Sequence, residues 1–287
     1  MRVIKPRRSA LFMPGGNARA IEKARSLATD AVILDLEDSV APNAKVEARL
    51  AVCAAVKSGG FGSREVVIRI NAWDTPWAMD DLTAAIAARP HAILLPKISA
   101  PADIVQAGEA VTQGVRLWGM IETCQALLAI DALGAASGDK GLDVWVVGPN
   151  DLIKQMRCAV VNDRSPILPA LTLAVIAARS HGLSILDGVW TDITNLSGLE
   201  YECTQGRDLG FDGKSLIHPS HLDITNRTFS PTRESVSWAR TVVAAYQAPE
   251  NALAGVLRVE GKMVERLHLE EAKRIVAIAE AIGGEDG

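Results

Sequence analysis

Two carboxylates, Glu122 and Asp151, sit where a fold can most readily put them to chemical use. Glu122 closes the apolar run LWGMIET, and Asp151 follows a second run in VWVVGPNDL. Between them, TCQALLAIDALGAAS carries apolar residues at helical spacing, so the stretch predicts a parallel strand–helix–strand unit. Both acids then fall where a strand gives way to a loop, the edge at which parallel α/β folds bind ligands. Either acid alone reads first as a helix cap or loop residue. Their recurrence on consecutive strands makes the pair a candidate metal site. Two hard oxygen ligands suit Mg²⁺, which takes one or two carboxylates and keeps its other positions for water and substrate.

The nearest candidate cations are Arg69, in VVIRINA, and Lys97, in AILLPKI. A guanidinium beside a divalent ion makes a seat for a carboxylate or a developing enolate oxygen. The ensemble lacks a nucleophilic Ser or Cys with a paired His, so metal-stabilised enolate chemistry fits better than acyl-enzyme hydrolysis.

These residues must be positioned by a chain of 287 residues, 48% hydrophobic and 22% charged, with a net charge of −4. That is an ordinary globular composition with no nucleic-acid footprint and no basic membrane-surface patch. The start, MRVIKPRRSALF, lacks the apolar core of a signal peptide, and no run reaches the length of a membrane span. The four cysteines are scattered without a C-x-x-C pair, as expected of reduced thiols in a cytoplasmic protein.

In order, strands are predicted at SALFMP, AVILDLED, VVIRINA, AILLPKI, LWGMIE, VWVVG, SILDG and DGKSLI, with helical patterns between them. Asn17 is placed to cap the first helix and Gly210 to close the one before the last strand. Eight apolar strands alternating with helices predict a (β/α)₈ TIM barrel over residues 1–224. Residues 225–287 form a C-terminal helical extension, expected to pack on a neighbouring subunit, in which VLRVEGKMVER reads as a short hairpin. Glu37/Asp38, Arg69, Lys97, Glu122, Asp151, Asp187 and Lys214/His218 lie at or just past successive strand ends and are expected to converge on one mouth. The spacing of His218 and His221 reads as a cap or packing pair, and Asp80 and Asp81 as acids of a helix first turn.

The segments RSALFMPGGNARAIEKA, AVILDLEDSVAP, VIRINAWDTPW, LLPKI, MIETCQALL, GPNDL and GRDLGFDGKSLIHP together resemble the citrate lyase β-subunit family. That family includes malyl-CoA and citramalyl-CoA lyases and belongs to the HpcH/HpaI aldolase superfamily. The resemblance spans essentially the whole chain. It implies a Mg²⁺-dependent barrel that makes or breaks a C–C bond between an acyl thioester and a 2-oxo acid. Glu122 and Asp151 would then bind Mg²⁺, and Arg69 would hold a substrate carboxylate or the thioester oxygen. Glu37 and Asp38 would order the metal's waters, and Arg8, Lys23 and Lys97 would contact coenzyme A phosphates. The resemblance also implies a homotrimer in which a tail carboxylate serves a neighbour's site as general acid/base. Many relatives carry Asp in that tail motif, whereas this chain has Glu265 in GKMVER. The extra methylene changes the carboxylate's reach by about 1.5 Å. Thioester hydrolysis, action on an acyl carrier protein and a non-catalytic CoA-binding subunit are the other readings of the same residues. A class II pyruvate aldolase fits less well, because the early strand ends carry acids and no His.

Overall fold

The computed structural model describes residues 5–111, 114–251 and 254–283. The first half alternates β1 (Ser9–Pro14), α1 (Ala18–Ala24), β2 (Ala31–Asp35), α2 (Lys45–Ser58), β3 (Glu65–Arg69), α3 (Ala78–Ala88), β4 (Ala92–Leu95) and α4 (Pro101–Ala110). Next come β5 (Arg116–Ile121), α5 (Cys124–Leu128), α6 (Ile130–Asp139), β6 (Leu142–Val147), α7 (Pro149–Met156) and α8 (Leu168–Ser180). Then follow β7 (Ser184–Asp187), α9 (Leu196–Leu209), β8 (Gly213–Leu216) and α10 (Leu222–Phe229). After these lie α11 (Arg233–Gln247), the hairpin β9 (Val256–Val259) and β10 (Lys262–Glu265), and α12 (Arg266–Gly283).

Strands β1 to β8 pair in parallel in chain order, and β8 returns to β1 with Ser9 opposite Lys214 and Leu11 opposite Leu216. The sheet is therefore a closed (β/α)₈ barrel, as the alternation of strands and helices predicts. Side chains alternate between two apolar environments along every strand. Ile33, Val67, Leu94, Trp118, Val146 and Leu186 fill the barrel interior. Val32, Leu34, Ile68, Ile93 and Ile185 face outward under the helices. The expected caps are present: the Asn17 side chain accepts from Ala20 N at 3.0 Å, and Gly210 ends α9 at a φ of 99°.

The described residues divide into two compact units, one running from Arg7 to Phe229 and the other from Ser230 onward together with Lys5 and Pro6. In the smaller unit α11 packs on α12, and Tyr246 donates to the Val264 carbonyl at 2.8 Å, pinning the hairpin. No helix among the described residues is long and apolar enough to cross a membrane.

Three features depart from the sequence reading. The helix between Glu122 and Asp151 is two, α5 and α6, meeting at Ala129. Asp151 does not lie in a loop but in the first turn of α7. Asp187 and Lys214 do not reach the mouth. Their neighbours Leu186 and Ser215 face the barrel interior and its cavity, so alternation turns both side chains outward. There they join a buried network. Lys214 Nζ lies 3.0 Å from Asp187 and 2.6 Å from Glu202 of α9, and Arg164 Nη1 lies 2.8 Å from Asp187.

Burial alone would raise the Asp187 carboxyl, but Lys214 and Arg164 outweigh it and hold it below the usual range. Burial would lower the Lys214 ammonium, but Asp187 and Glu202 raise it above its ordinary value. The depressed Asp187 stabilises the fold above the ordinary Asp value, and that contribution is lost as acid passes below it. The raised Lys214 stabilises the fold below the ordinary Lys value and fails above it. Stability from this network should therefore be flat between about pH 4 and pH 10. Lys214→Met is expected to cost ~3–5 kcal/mol at neutral pH, because it strands buried carboxylates. Urea titration measures this, and a loss under about 1 kcal/mol would show that the network is no stronger than a surface pair.

Candidate active site at the barrel mouth

The same alternation selects the residues that do reach the mouth. Ile33 points inward, so Asp35 does; Val67 places Arg69; Trp118 and Met120 place Glu122; Val146 places Gly148. These side chains border a cavity of about 370 Å³ whose lining includes Asp35, Asp38, Arg69, Glu122, Asp151 and Ser215.

Arg69 is the cation at its centre. It is buried, and it grips Asp35 through both ends of its fork, Nε to Oδ1 at 2.6 Å and Nη2 to Oδ2 at 2.8 Å. Its Nη1 lies 3.1 Å from Glu37 and 3.4 Å from Asp38, and the Phe12 ring sits 4.8 Å from the guanidinium carbon. Burial works against both partners of the fork, but their mutual attraction wins. Asp35 is held below the usual carboxylate range and Arg69 above its ordinary value.

Asp35 also shapes the acidic loop after β2. Its carboxylate accepts from the backbone N–H of Glu37 at 2.9 Å and of Ser39 at 3.0 Å, an Asx-type turn. Below the loop, buried Lys45 donates to the carbonyls of Leu36 and Glu37 at 2.8 and 2.7 Å. Asn71 bridges from the Leu36 carbonyl to Asp81, and Asp81 also accepts from Arg49 at 2.6 Å. Asp81 is thus a fully buried junction beneath the site, which is more than the first-turn acid its position suggests.

Glu37 lies inside this cage and Asp38 at its open edge, the Asp38 side chain being 61% exposed. Glu37 Oε1 accepts from Lys97 Nζ at 2.5 Å. Its Oε2 stands at ion-pair distance from Arg69 but has no aligned hydrogen-bond donor among the described residues. Burial holds the Glu37 carboxyl above its usual range, although Arg69 and Lys97 both pull it down.

Glu122 is 1% exposed and its Oε1 accepts from the backbone N–H of Lys97 at 2.7 Å. Burial, with Glu37 and Asp151 adding like charge, pushes its carboxyl up to about 7. Gly148 makes the approach of β6 possible, since a Cβ there would fall 2.4 Å from Glu122 Oε2. A divalent cation fits this arrangement, because crowded carboxylates at the end of a cavity are what a hard dication neutralises. Among the described residues no group of three or more acidic, His or Cys side chains could hold an ion. Glu122 and Asp151, which both border the cavity, are the kind of sparse carboxylate pair that Mg²⁺ accepts.

The other candidates are placed elsewhere. Arg8 precedes β1, at the opposite end of a six-residue strand, and is paired with Asp30 at 2.7 Å. That end lies about 20 Å from the mouth, so the expected phosphate contact at Arg8 is not compatible with a ligand seated in this cavity. Lys23 is exposed on the last turn of α1. His218 caps the turn after β8, with Nδ1 accepting from Ser220 N at 3.2 Å. Glu265 belongs to the smaller unit, where it ends β10 and its N–H donates to His268 Nδ1 at 2.9 Å. Asp35 and Lys45 are not marked as site residues by the sequence. The signal for Asp35 is its spacing of two from Ile33, which is informative only once Ile33 is known to face inward. Lys45 acts through carbonyl contacts that no sequence pattern marks.

Residues 161–283 match the description "C-C bond lyase of the TIM-barrel fold". The chain is 43% identical over 277 residues to a (3S)-malyl-CoA thioesterase of Cereibacter sphaeroides, covering 96% of each chain. It is 31% identical to the mitochondrial citramalyl-CoA lyase of Rattus norvegicus, over 96% of this chain and 87% of that one. Among solved structures it is similar to the protein CitE of Mycobacterium tuberculosis in complex with magnesium, acetoacetate and coenzyme A. That likeness has a TM-score of 0.76 and 28% identity, over 98% of this chain and all of that one. With residues 8–219 matching the family model itself, the chain belongs to the HpcH/HpaI aldolase/citrate lyase family.

Proposed function

We propose that this mouth is the active site of a Mg²⁺-dependent carbon–carbon lyase. Its substrate is a 3-hydroxyacyl-CoA such as malyl-CoA, citramalyl-CoA or citryl-CoA, cleaved to a 2-oxo acid and acetyl-CoA. One observation carries the reading: a locked guanidinium, the carboxylate that follows β5 and a carboxylate in the first turn of α7 border the same cavity. Glu122 and Asp151 would hold Mg²⁺, which when bound supplies Lewis acidity toward substrate oxygens.

The chain's own residues account for the rest. Arg69 cannot swing away, because Asp35 occupies both ends of its fork, so its Nη1 edge presents a fixed positive charge. C–C cleavage moves negative charge onto the thioester oxygen, and a pre-oriented guanidinium stabilises that charge without reorganising. Phe12, Met120 and Val147 line the cavity with apolar surface and exclude water from the enolate. Glu37 and Asp38 stand beside Arg69, where they can order water on the metal side. Lys23 remains a candidate contact for coenzyme A phosphates. Glu265 is assigned proton transfer in a neighbouring subunit of a cytoplasmic homotrimer, the segment from residue 225 onward making that contact.

A second reading has its own support. The malyl-CoA thioesterase relative is more similar to this chain than the citramalyl-CoA lyase, at 43% against 31% identity. Hydrolysis of malyl-CoA would use the same mouth, with water as acceptor.

Turnover of the three thioesters with and without Mg²⁺, following both oxo acid and free thiol, separates these readings. Metal-dependent release of oxo acid is expected; free thiol without oxo acid would move the assignment to hydrolysis. Glu122→Ala and Asp151→Ala should each lower metal-dependent turnover on the order of 10³-fold, and normal turnover in both would end the metal assignment. Arg69→Lys keeps the charge but not the fork. It should lose about 10²–10³ in kcat, and parental kcat would remove Arg69 from the reaction.

A further inference from the structure

Lys97 is the residue whose placement is least explained by that scheme. By strand alternation it belongs outside the barrel, since Ile93 and Leu95 of the same strand both face the outer core. Its backbone instead turns left-handed, at a φ of 50°, which an L-residue with a long side chain rarely adopts. Several contacts hold the turn in that state. Ile98 packs over Gly119, where a Cβ would fall 2.6 Å from the Ile98 Cδ1. The Ser99 hydroxyl donates to the Lys97 carbonyl at 3.0 Å and meets Thr123 Oγ1 at 3.1 Å. Asp103 accepts from the N–H groups of Ser99 and Ala100 at 2.7 and 3.0 Å. Strain over-determined in this way clusters where geometry matters to function.

The left-handed turn aims two donors into the mouth. The amide N–H reaches Glu122 at 2.7 Å and the ammonium reaches Glu37 at 2.5 Å. With its ammonium held against a buried carboxylate, Lys97 is not disposed toward a phosphate. We propose that Lys97 is a positioning residue whose strained turn sets the spacing between Glu37, on the β2 loop, and Glu122, at the end of β5. This deepens the lyase reading and rests on it only where turnover is measured.

The test uses Lys97→Gly and Lys97→Asn in the full chain, because both residues tolerate a left-handed backbone and keep the amide donor while removing the ammonium. Two readouts are taken. One is the EPR line shape of Mn²⁺ bound to the protein without substrate. The other is kcat and KM for malyl-CoA and for the malyl thioester of pantetheine, which lacks the nucleotide phosphates. An altered Mn²⁺ spectrum is expected, with kcat down about 10–100-fold on both thioesters and the ratio of their KM values unchanged. A rise in KM for malyl-CoA alone, with kcat kept, would overturn the proposal in favour of a phosphate contact. Parental kcat with a parental spectrum would overturn it outright. If the unsubstituted protein turns over neither malyl thioester, citramalyl-CoA and citryl-CoA replace them; if it turns over none of the four, the lyase reading fails and the spectrum decides for Lys97, an altered line shape supporting it and an unchanged one overturning it.

Discussion

A closed parallel barrel buries both faces of every strand, so polarity cannot tell a strand which way to face; the two-residue repeat alone does. The chemistry of this protein depends on that repeat. Asp35 and Arg69 sit two residues past Ile33 and Val67, and Glu122 sits four past Trp118, so all three open into the mouth. Asp187 and Lys214 are one residue out of step and become part of the packing between β7, β8 and α9. Charged residues of the strands therefore divide into a set that faces the mouth and a structural set by parity.

Within the mouth, the Arg69–Asp35 fork is the fixed point. A guanidinium this deep would be costly without a partner. Here the partner also folds the loop that follows it, through the N–H groups of Glu37 and Ser39. Charge neutralisation and loop shape thus come from one carboxylate. Lys45 and Asn71 add support from beneath by binding loop carbonyls, which leaves the Glu37 and Asp38 side chains free to face Arg69. The geometry near Arg69 is consequently set by groups that a substrate would never touch.

The barrel was legible in the sequence because eight apolar runs separated by helical patterns leave few alternatives. The mouth was legible in part. Glu37, Asp38, Arg69, Lys97 and Glu122 cluster as expected, since each closes or follows a strand. Inward and outward parity was not legible, because β2, β3, β6 and β7 are apolar at both parities, and so Asp187 and Lys214 were grouped with the mouth. Arg8, which only the resemblance suggested as a phosphate contact, precedes the first strand and so lies at the end away from the mouth. The left-handed turn at Lys97 carries no glycine or asparagine to announce it, and it is held by Ile98 packing over Gly119 of β5 and by the Asp103 side chain of α4.

Closure of the barrel carries a consequence for how the chain is made. The seam joins β1 to β8, with Leu11 opposite Leu216, so the first strand's final partner is separated from it by about 200 residues. At a synthesis rate of 5–20 residues per second, an interval of roughly 10–40 s passes before β8 emerges. During that time β1 has one unsatisfied edge, and Ala10 and Leu11, which end up fully buried, lack their full covering. The β1 edge can close only after β8 has been made, so the seam is the last contact of the barrel that synthesis allows.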